Sequence, residues 1–238
     1  MFKQLRFTLR HAWRLLFYGT IGVVLTLLVV FVQYLESRDD LDIWHLAELD
    51  QEFTEDSEIS NFEEYLALED RLFRQLDERV YAQTGPVGND VVNRYKRGSL
   101  SDPERWPRNW NRSFELTVES PKASVLLLHG LSDSPYSLRS LAMRLHEGGV
   151  HALGLRIPGQ GTAPSGLVEV SWQYMAAAVR LAVRHLAGQH GDRPIHIVGY
   201  SNGAALAVHY VLSTLDDTSQ PRIDSLVLLS PEIGITPV

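Results

Sequence analysis

The sequence predicts an α/β fold, a mostly parallel sheet with helices on both faces, preceded by a single transmembrane helix. Three observations carry this. After residue 113 short apolar runs alternate with helical stretches, the order that builds a parallel sheet covered by helices. The run "SVLLL" at 124–128 is apolar throughout, as a strand buried on both faces is. Near the start, 21 consecutive residues, Leu15 to Leu35, carry no charge.

That span is long enough to cross a bilayer. At about 1.5 Å per residue a helix of this length matches the roughly 30 Å hydrocarbon core. Trp13 and Tyr34 stand at its ends, where interfacial aromatics belong. A signal peptide has an apolar run of roughly 7–15 residues and an A-x-A-like cleavage site. This run is longer and no such site follows it, so an uncleaved anchor is expected. Lys3, Arg6, Arg10 and Arg14 precede the span, and Glu36, Asp39, Asp40 and Asp42 follow it. The positive-inside rule then keeps the tail, residues 1–14, in the cytoplasm and puts everything after residue 36 on the periplasmic or extracellular side.

Composition narrows the chemistry. The chain has 238 residues, 45% of them hydrophobic and 21% charged, which is globular composition. Its net charge of −7 conceals a +4 tail, leaving −11 on the rest. A body that acidic repels phosphate backbones, so nucleic acid is not an expected partner. There is no cysteine, which removes disulfides, thiolate chemistry and cysteine-ligated zinc together. Neither a metal nor a cofactor is expected.

Residues 36–64 contain twelve acids and one arginine, Arg38, without sustained periodicity. The stretch 36–59 therefore reads as a solvated acidic tether. A helix is expected from Ser60, with Glu63 completing a capping box. Phe62, Leu66, Phe73, Leu76 and Val80 recur at helical spacing, widened by Tyr65 and Leu72, and need a surface to pack on. "TGPVG", 84–88, ends the helix. The Pro-, Trp- and Arg-rich stretch 93–113 shows no period and reads as an irregular wrap, so 60–112 forms one accessory segment ahead of the domain at 113–238.

Within that domain strands are expected at 114–118, 124–128, 150–155, 195–199 and 223–229. Helices are expected at 137–147, at 171–188, closed by its glycine, and at 202–214. The strand at 195–199 runs straight into Gly199-Tyr200-Ser201-Asn202-Gly203, a G-x-S-x-G pattern followed by a helix. That context gives a five-residue match its weight. A strand that reverses so sharply strains the serine backbone, and only small residues two before and two after avoid collision. Ser201 is thus the candidate nucleophile, with a helix amino terminus beneath it to favour developing negative charge.

A second motif, "LLLHGLSDSPYS" at 126–137, puts His129-Gly130 at the end of a central strand. With these two motifs the chain resembles the α/β-hydrolase family, in particular its lipase/esterase or serine aminopeptidase-like branch, from about residue 113 onward. The resemblance implies a partial α/β-hydrolase fold and an oxyanion hole made by the backbone N–H groups of Leu131 and Asn202. It implies a structural role for His129. "RIPGQGTAPSG", 156–166, resembles the family's P-G-H-G loop, with Gln160 where the histidine usually stands, and is expected to brace the site.

The family's chain order is Ser, then Asp or Glu, then His. Downstream of Ser201 the sequence has one histidine, His209. At ~1.5 Å per residue it lies roughly 12 Å along the helix and away from the turn, as a packing histidine. Asp216, Asp217 and Asp224 fall near the opposite edge of the sheet, and Glu232 follows the last strand. The chain is therefore expected to be truncated before its acid and histidine, and to be inactive by itself. The function expected of the parent protein is a membrane-anchored serine hydrolase acting on carboxylic esters, lipid-derived ones included, with a small-molecule or lipid ester as partner. Amide or peptide hydrolysis on the same scaffold and a catalytically inactive membrane-tethered binding module are the alternatives.

Overall fold

The structure, a computed structural model, describes residues 2–38, 40–54, 56–232 and 234. Asp39 and the side chains of residues 2–10, His190 and Asp216 lie outside that description, so the expectations on Lys3, Arg6, Arg10, Asp39 and Asp216 fall there. The chain divides into two units, Met1–Leu41 and Asp42–Val238.

The first unit is one helix, α1 (Phe2–Glu36). From His11 to Glu36 it is long and apolar enough to cross a membrane, with a mean hydropathy of 2.6 and none of it buried. Its interior hydroxyls are satisfied within the helix. Thr20 and Thr26 donate to the carbonyls of Leu16 and Gly22 at 2.8 Å each, as a polar group in a hydrocarbon setting requires. This is the length and composition of a membrane-spanning or signal segment.

Residues 42–59 are not a solvated tether. After the single turn α2 (Ile43–Leu46), Ala47 and Phe53 are buried, and Trp44 stacks on Tyr95 with ring centroids 5.1 Å apart. Two of the acids that argued for solvation find cations instead. Asp50 meets Arg79 at 3.0 Å and Glu52 meets Arg156 at 2.9 Å.

Helix α3 (Phe62–Arg79) starts later than the expected box, with Asn61 as its cap. Asn61 Oδ1 accepts from the Glu64 amide at 2.9 Å, while the Glu64 carboxylate accepts from the Ser60 amide at 2.7 Å. The same reciprocal logic is shifted by one residue, because Asn caps as well as Ser does. The apolar stripe divides between two cores. Phe62, Tyr65 and Leu68 enter the main core under the sheet. Phe73, Leu76 and Val80 join Ala47, Tyr81 and Tyr95 in a smaller cluster.

The sheet has five strands in the order β1-β3-β2-β4-β5. They are β1 (Phe114–Leu116), β2 (Ala123–Leu128), β3 (Val150–Leu155), β4 (Ile195–Tyr200) and β5 (Ser225–Leu229). β1 pairs antiparallel with β3, and all other pairs are parallel. β2 is central and buried along its whole length, as its unbroken apolar run requires. β1 is shorter than expected, and β5 begins at Ser225 because Asp224 is engaged at the strand entrance. Helices α5 (Trp172–His190) and α6 (Asn202–Asp216) join α3 on one face, against Leu126, Leu128, Leu153 and Ile197. Helix α4 (Arg139–Glu147), preceded by a 3-10 turn at 135–138, lies with Val125, Leu127, Ala152 and Val198 on the other. Each such aliphatic side chain taken fully from water contributes roughly 1.5–3 kcal/mol. α5 runs past Gly188 to His190, so that glycine does not close it. What this architecture positions is the carboxyl end of β2 beside the carboxyl end of β4.

Candidate functional site

β4 ends at Tyr200 and α6 begins at Asn202, so one residue makes the whole turn. That residue is Ser201, held at φ +52° and ψ −116°. For a side chain with a Cβ this is a costly backbone, of order 1–3 kcal/mol, that persists only where its surroundings impose it. They do. A Cβ on Gly199 would come within 2.5 Å of both Ala204 Cα and Gly203 O. One on Gly203 would come within 2.5 Å of His129 O and closer still to Leu128 O. The second clash joins α6 to the end of β2, so the two motifs found in the sequence close on each other in space. The Ser201 amide donates to Leu229 O at 2.9 Å, and its carbonyl accepts from Ala204 at 3.0 Å and Glu232 at 3.3 Å. Among the described residues the Ser201 hydroxyl has no hydrogen-bond partner.

Leu131 follows the His129-Gly130 pair and is half exposed, while Asn202 is the first residue of α6. Among the described residues neither backbone N–H is taken by a hydrogen bond. Two unpaired donors are thus available, that of Asn202 next to the serine in the chain and that of Leu131 one residue after Gly130, where a Cβ would lie 3.4 Å from Ser201 Cβ. The Asn202 side chain is turned toward Met175 Sδ at 3.6 Å.

His129 is fully buried and both of its nitrogens are in use. Nδ1 lies 2.9 Å from Gly130 O, and Nε2 accepts from the Ile157 amide at 3.1 Å. The second bond fixes the tautomer: Nδ1 carries the proton and donates. Burial pushes its pKa down to about 4, so the ring is neutral at pH 7. It is a strut between β2 and the loop after β3, with no lone pair left to act on Ser201.

The loop after β3 is anchored by the one group the sequence pattern does not single out. Arg156 is 1% exposed. Its guanidinium donates to both oxygens of Glu52 at 2.9 and 3.0 Å, to Glu69 at 3.1 Å, and to Gln160 O at 3.1 Å. Burial works against its charge, and Glu52 and Glu69 more than offset that, raising its pKa. Glu69 also accepts from the Ser113 amide and hydroxyl at 2.9 and 2.8 Å. The Tyr65 hydroxyl donates to Arg156 O at 2.6 Å. The next residue is Ile157, which holds His129. Gln160 is buried and contributes to this brace through its main chain. Glu69 did carry a signal: four residues after Tyr65 and three before Leu72, it is an acid in the middle of an apolar helix stripe.

Glu232 adjoins Ser201 through its backbone amide, whereas Asp217, Asp224 and His209 are elsewhere. The His209 ring packs edge-on against Trp172, centroids 5.0 Å apart. Asp224 accepts from the Ile195 amide at 2.9 Å, at the amino ends of the strands and thus across the sheet from Ser201. Asp217 caps its own turn through Ser219 and Gln220.

Residues 119–238, half of the chain, match the family described as Serine aminopeptidase, S33. The chain belongs to this α/β-hydrolase family. No curated protein matches it in sequence. Among solved structures the hydrolase domain is similar to a protein from the pair LipS and LipT, metagenome-derived lipolytic enzymes. There the identity is 23%, over 51% of this chain and 46% of that one, with a TM-score of 0.44. It is similar to MenH from S. aureus at 22% identity, over 53% and 44%, with a TM-score of 0.42. A Paleococcus ferrophilus monoacylglycerol lipase gives 21% identity, 52% and 44% coverage, and a TM-score of 0.43. The chain spans less than half the length of each of the three.

Proposed function

We propose that the protein is a membrane-anchored serine hydrolase that cleaves carboxylic esters, lipid-derived ones included, through a Ser201 acyl-enzyme. The observation that carries this reading is the strained Ser201 backbone between Gly199 and Gly203, backed against the end of β2. Ser201 Oγ attacks the ester carbonyl, and the oxyanion forms between the amides of Leu131 and Asn202. Each such donor is typically worth about 3–4 kcal/mol in the transition state. The amino terminus of α6 adds its partial positive charge. The acyl group stays on Oγ as the alcohol leaves, and water releases it. Helix α1 keeps this chemistry at a membrane, with the basic tail on the cytoplasmic side and the domain opposite.

The serine proton needs a base, and the base an orienting acid. Among the described residues no histidine nitrogen bonds to Ser201 Oγ. The nucleophile and the two amides alone sustain a residual acceleration of about 10³–10⁴ over water. Fluorophosphonate labelling of the 238-residue chain is therefore expected to be slow, to quicken with added imidazole, and to vanish in Ser201→Ala. Labelling of Ser201→Ala at the original rate refutes the assignment of the nucleophile.

A second reading, amide or peptide hydrolysis at the same serine, has in its favour that the matched family is described as an aminopeptidase. Comparing a p-nitrophenyl acyl ester with an aminoacyl p-nitroanilide separates the two. A third, a catalytically inactive membrane-tethered module, has in its favour the unpartnered Ser201 hydroxyl. Imidazole-insensitive, absent labelling favours it.

A further inference from the structure

Ahead of the region that matches the family, residues 94–111 fold against the loop that follows β2 and enclose a cleft of about 260 Å³. Its walls are Trp106, Trp110 and Tyr136, with Arg94, Asn111 and Asp133 among them. Three flat rings around a cavity this small suit a ligand with a flat apolar body. The size is just below the roughly 300–1,000 Å³ of drug-sized pockets, so the ligand is small.

The state of the wall cation bears on its sign. Arg94 donates one N–H to Gly161 O at 3.1 Å and, among the described residues, has no carboxylate partner. The rings carry guanidiniums too. Arg139 stands 3.6 Å over the Tyr136 ring and 5.3 Å from that of Trp106, and Arg108 lies 5.4 Å from that of Trp110. Neither has an ion-pair partner among the described residues. Of these three cations Arg94 lines the cleft, as does one carboxylate, Asp133, while Arg139 and Arg108 stack on its lining rings without lining it themselves. A cationic ligand would meet the guanidiniums stacked on the lining rings, whereas an anion meets Arg94, a wall cation without a carboxylate partner among the described residues.

We propose that this cleft is a binding site for a small planar organic anion, an aromatic or conjugated carboxylate. Its carboxylate meets Arg94, and its ring lies among Trp106, Trp110 and Tyr136. Arg94 has N–H donors to spare for the bidentate geometry that guanidinium and carboxylate share. The site goes beyond the hydrolytic reading and does not depend on it. Its floor does adjoin that machinery in the chain, because Asp133 and Ser134 come two and three residues after Leu131, and Ser134 donates to Asn111 Oδ1 at 2.8 Å.

The test is calorimetric titration of the full chain in nonionic detergent with trans-cinnamate and with its neutral isostere, trans-cinnamamide. Cinnamate is expected to bind saturably and at least about tenfold more tightly than the amide, the worth of a charge-assisted contact. Added salt should narrow that gap. Arg94→Met should remove the preference while leaving cinnamamide unchanged, and Arg94→Lys should keep part of it. Trp106→Ala, at a ring of a residue 44% exposed, should weaken both probes by a similar factor. Equal affinity of the two probes for the unaltered chain overturns the proposal. So does a preference that survives Arg94→Met, or the absence of saturable binding by cinnamate. If Arg94→Met does not fold, the salt series and Arg94→Lys decide the matter.

Discussion

Replacing Arg156 by methionine tests whether the accessory segment and the hydrolase domain are one folding unit. The side chain has its four good contacts within 2.9–3.1 Å, two to Glu52, one to Glu69 and one to Gln160 O. Methionine fills most of the volume and supplies none of the donors. Removing one partner of a buried ion pair typically costs about 3–5 kcal/mol, because the other charge stays buried. Two features pull the value toward the lower end. Glu69 keeps the Ser113 amide and hydroxyl, and Glu52 keeps the Phe53 amide at 2.9 Å and a 10% exposed side chain. A loss of about 3 kcal/mol is expected, a large part of the roughly 5–15 kcal/mol available to a folded domain. With a urea slope of about 2 kcal/mol/M the unfolding midpoint should fall by about 1.5 M. Adding Glu52→Gln and Glu69→Gln should recover much of it, since an uncharged cluster no longer buries unpaired carboxylates. The assay is urea unfolding of the full chain in nonionic detergent, followed by tryptophan fluorescence. A midpoint within about 0.3 M of the parent, on the same slope estimate, refutes the reasoning, as does a triple variant no better than the single one.

Gly203→Ala should lower stability by about 1–3 kcal/mol or more, since the new methyl meets backbone rather than a movable side chain, and it should abolish labelling of Ser201; a full-strength variant contradicts the packing of α6 on β2. Ser201→Gly should raise the unfolding midpoint, because relief of a positive-φ backbone is worth about 1 kcal/mol, and a lowered midpoint denies the strain. Around Glu115, burial raises the carboxyl pKa, but hydrogen bonds from His151 and His185 win and hold it at about 2; at His185 burial is likewise outweighed by Glu115 and Glu63, so its pKa lies above the usual 6.5. The carboxylate's contribution is therefore present above about 4.5 and lost as pH falls toward 2, whereas that of His185 is complete below 6.5 and lost as pH rises through its elevated value. The thermal midpoint should decline above neutral pH, and His185→Gln should flatten that decline; an unchanged slope removes His185 from the account. A reporter fused after residue 45 should be active outside the cytoplasm and the chain should resist carbonate extraction, whereas release of a shortened soluble chain would mark the apolar segment as a signal peptide.

What the sequence makes legible is what neighbouring residues decide. The central strand β2 reads as apolar because it is buried on both faces, and its run of leucines is contiguous. The turn at Ser201 reads from five consecutive residues, because the collisions that demand Gly199 and Gly203 are short-range in the chain or involve the adjacent strand end. Helix ends differ from the sequence pattern by one or two residues at Asn61, where Ser60 and Asn61 are caps of similar worth, and at His190, past Gly188.

The acidic stretch failed for a different reason, and the failure bears on function. Twelve acids in 36–64 look like a solvated spacer when counted locally, since charge density is a local property. Whether an acid is solvated depends on what it meets, and Glu52 meets a guanidinium 104 residues away. Glu69 meets the same group across 87 residues. No periodicity reports a contact of that separation. The consequence is mechanical. Glu52 and Glu69 grip Arg156, Tyr65 holds its carbonyl, Ile157 donates to His129, and two residues beyond His129 lies the amide of Leu131. The segment ahead of the hydrolase domain is thereby coupled to one of the two candidate oxyanion donors through a chain of buried hydrogen bonds. A domain cut at residue 113 would keep the serine and both glycines and lose the grip on the loop that steadies His129.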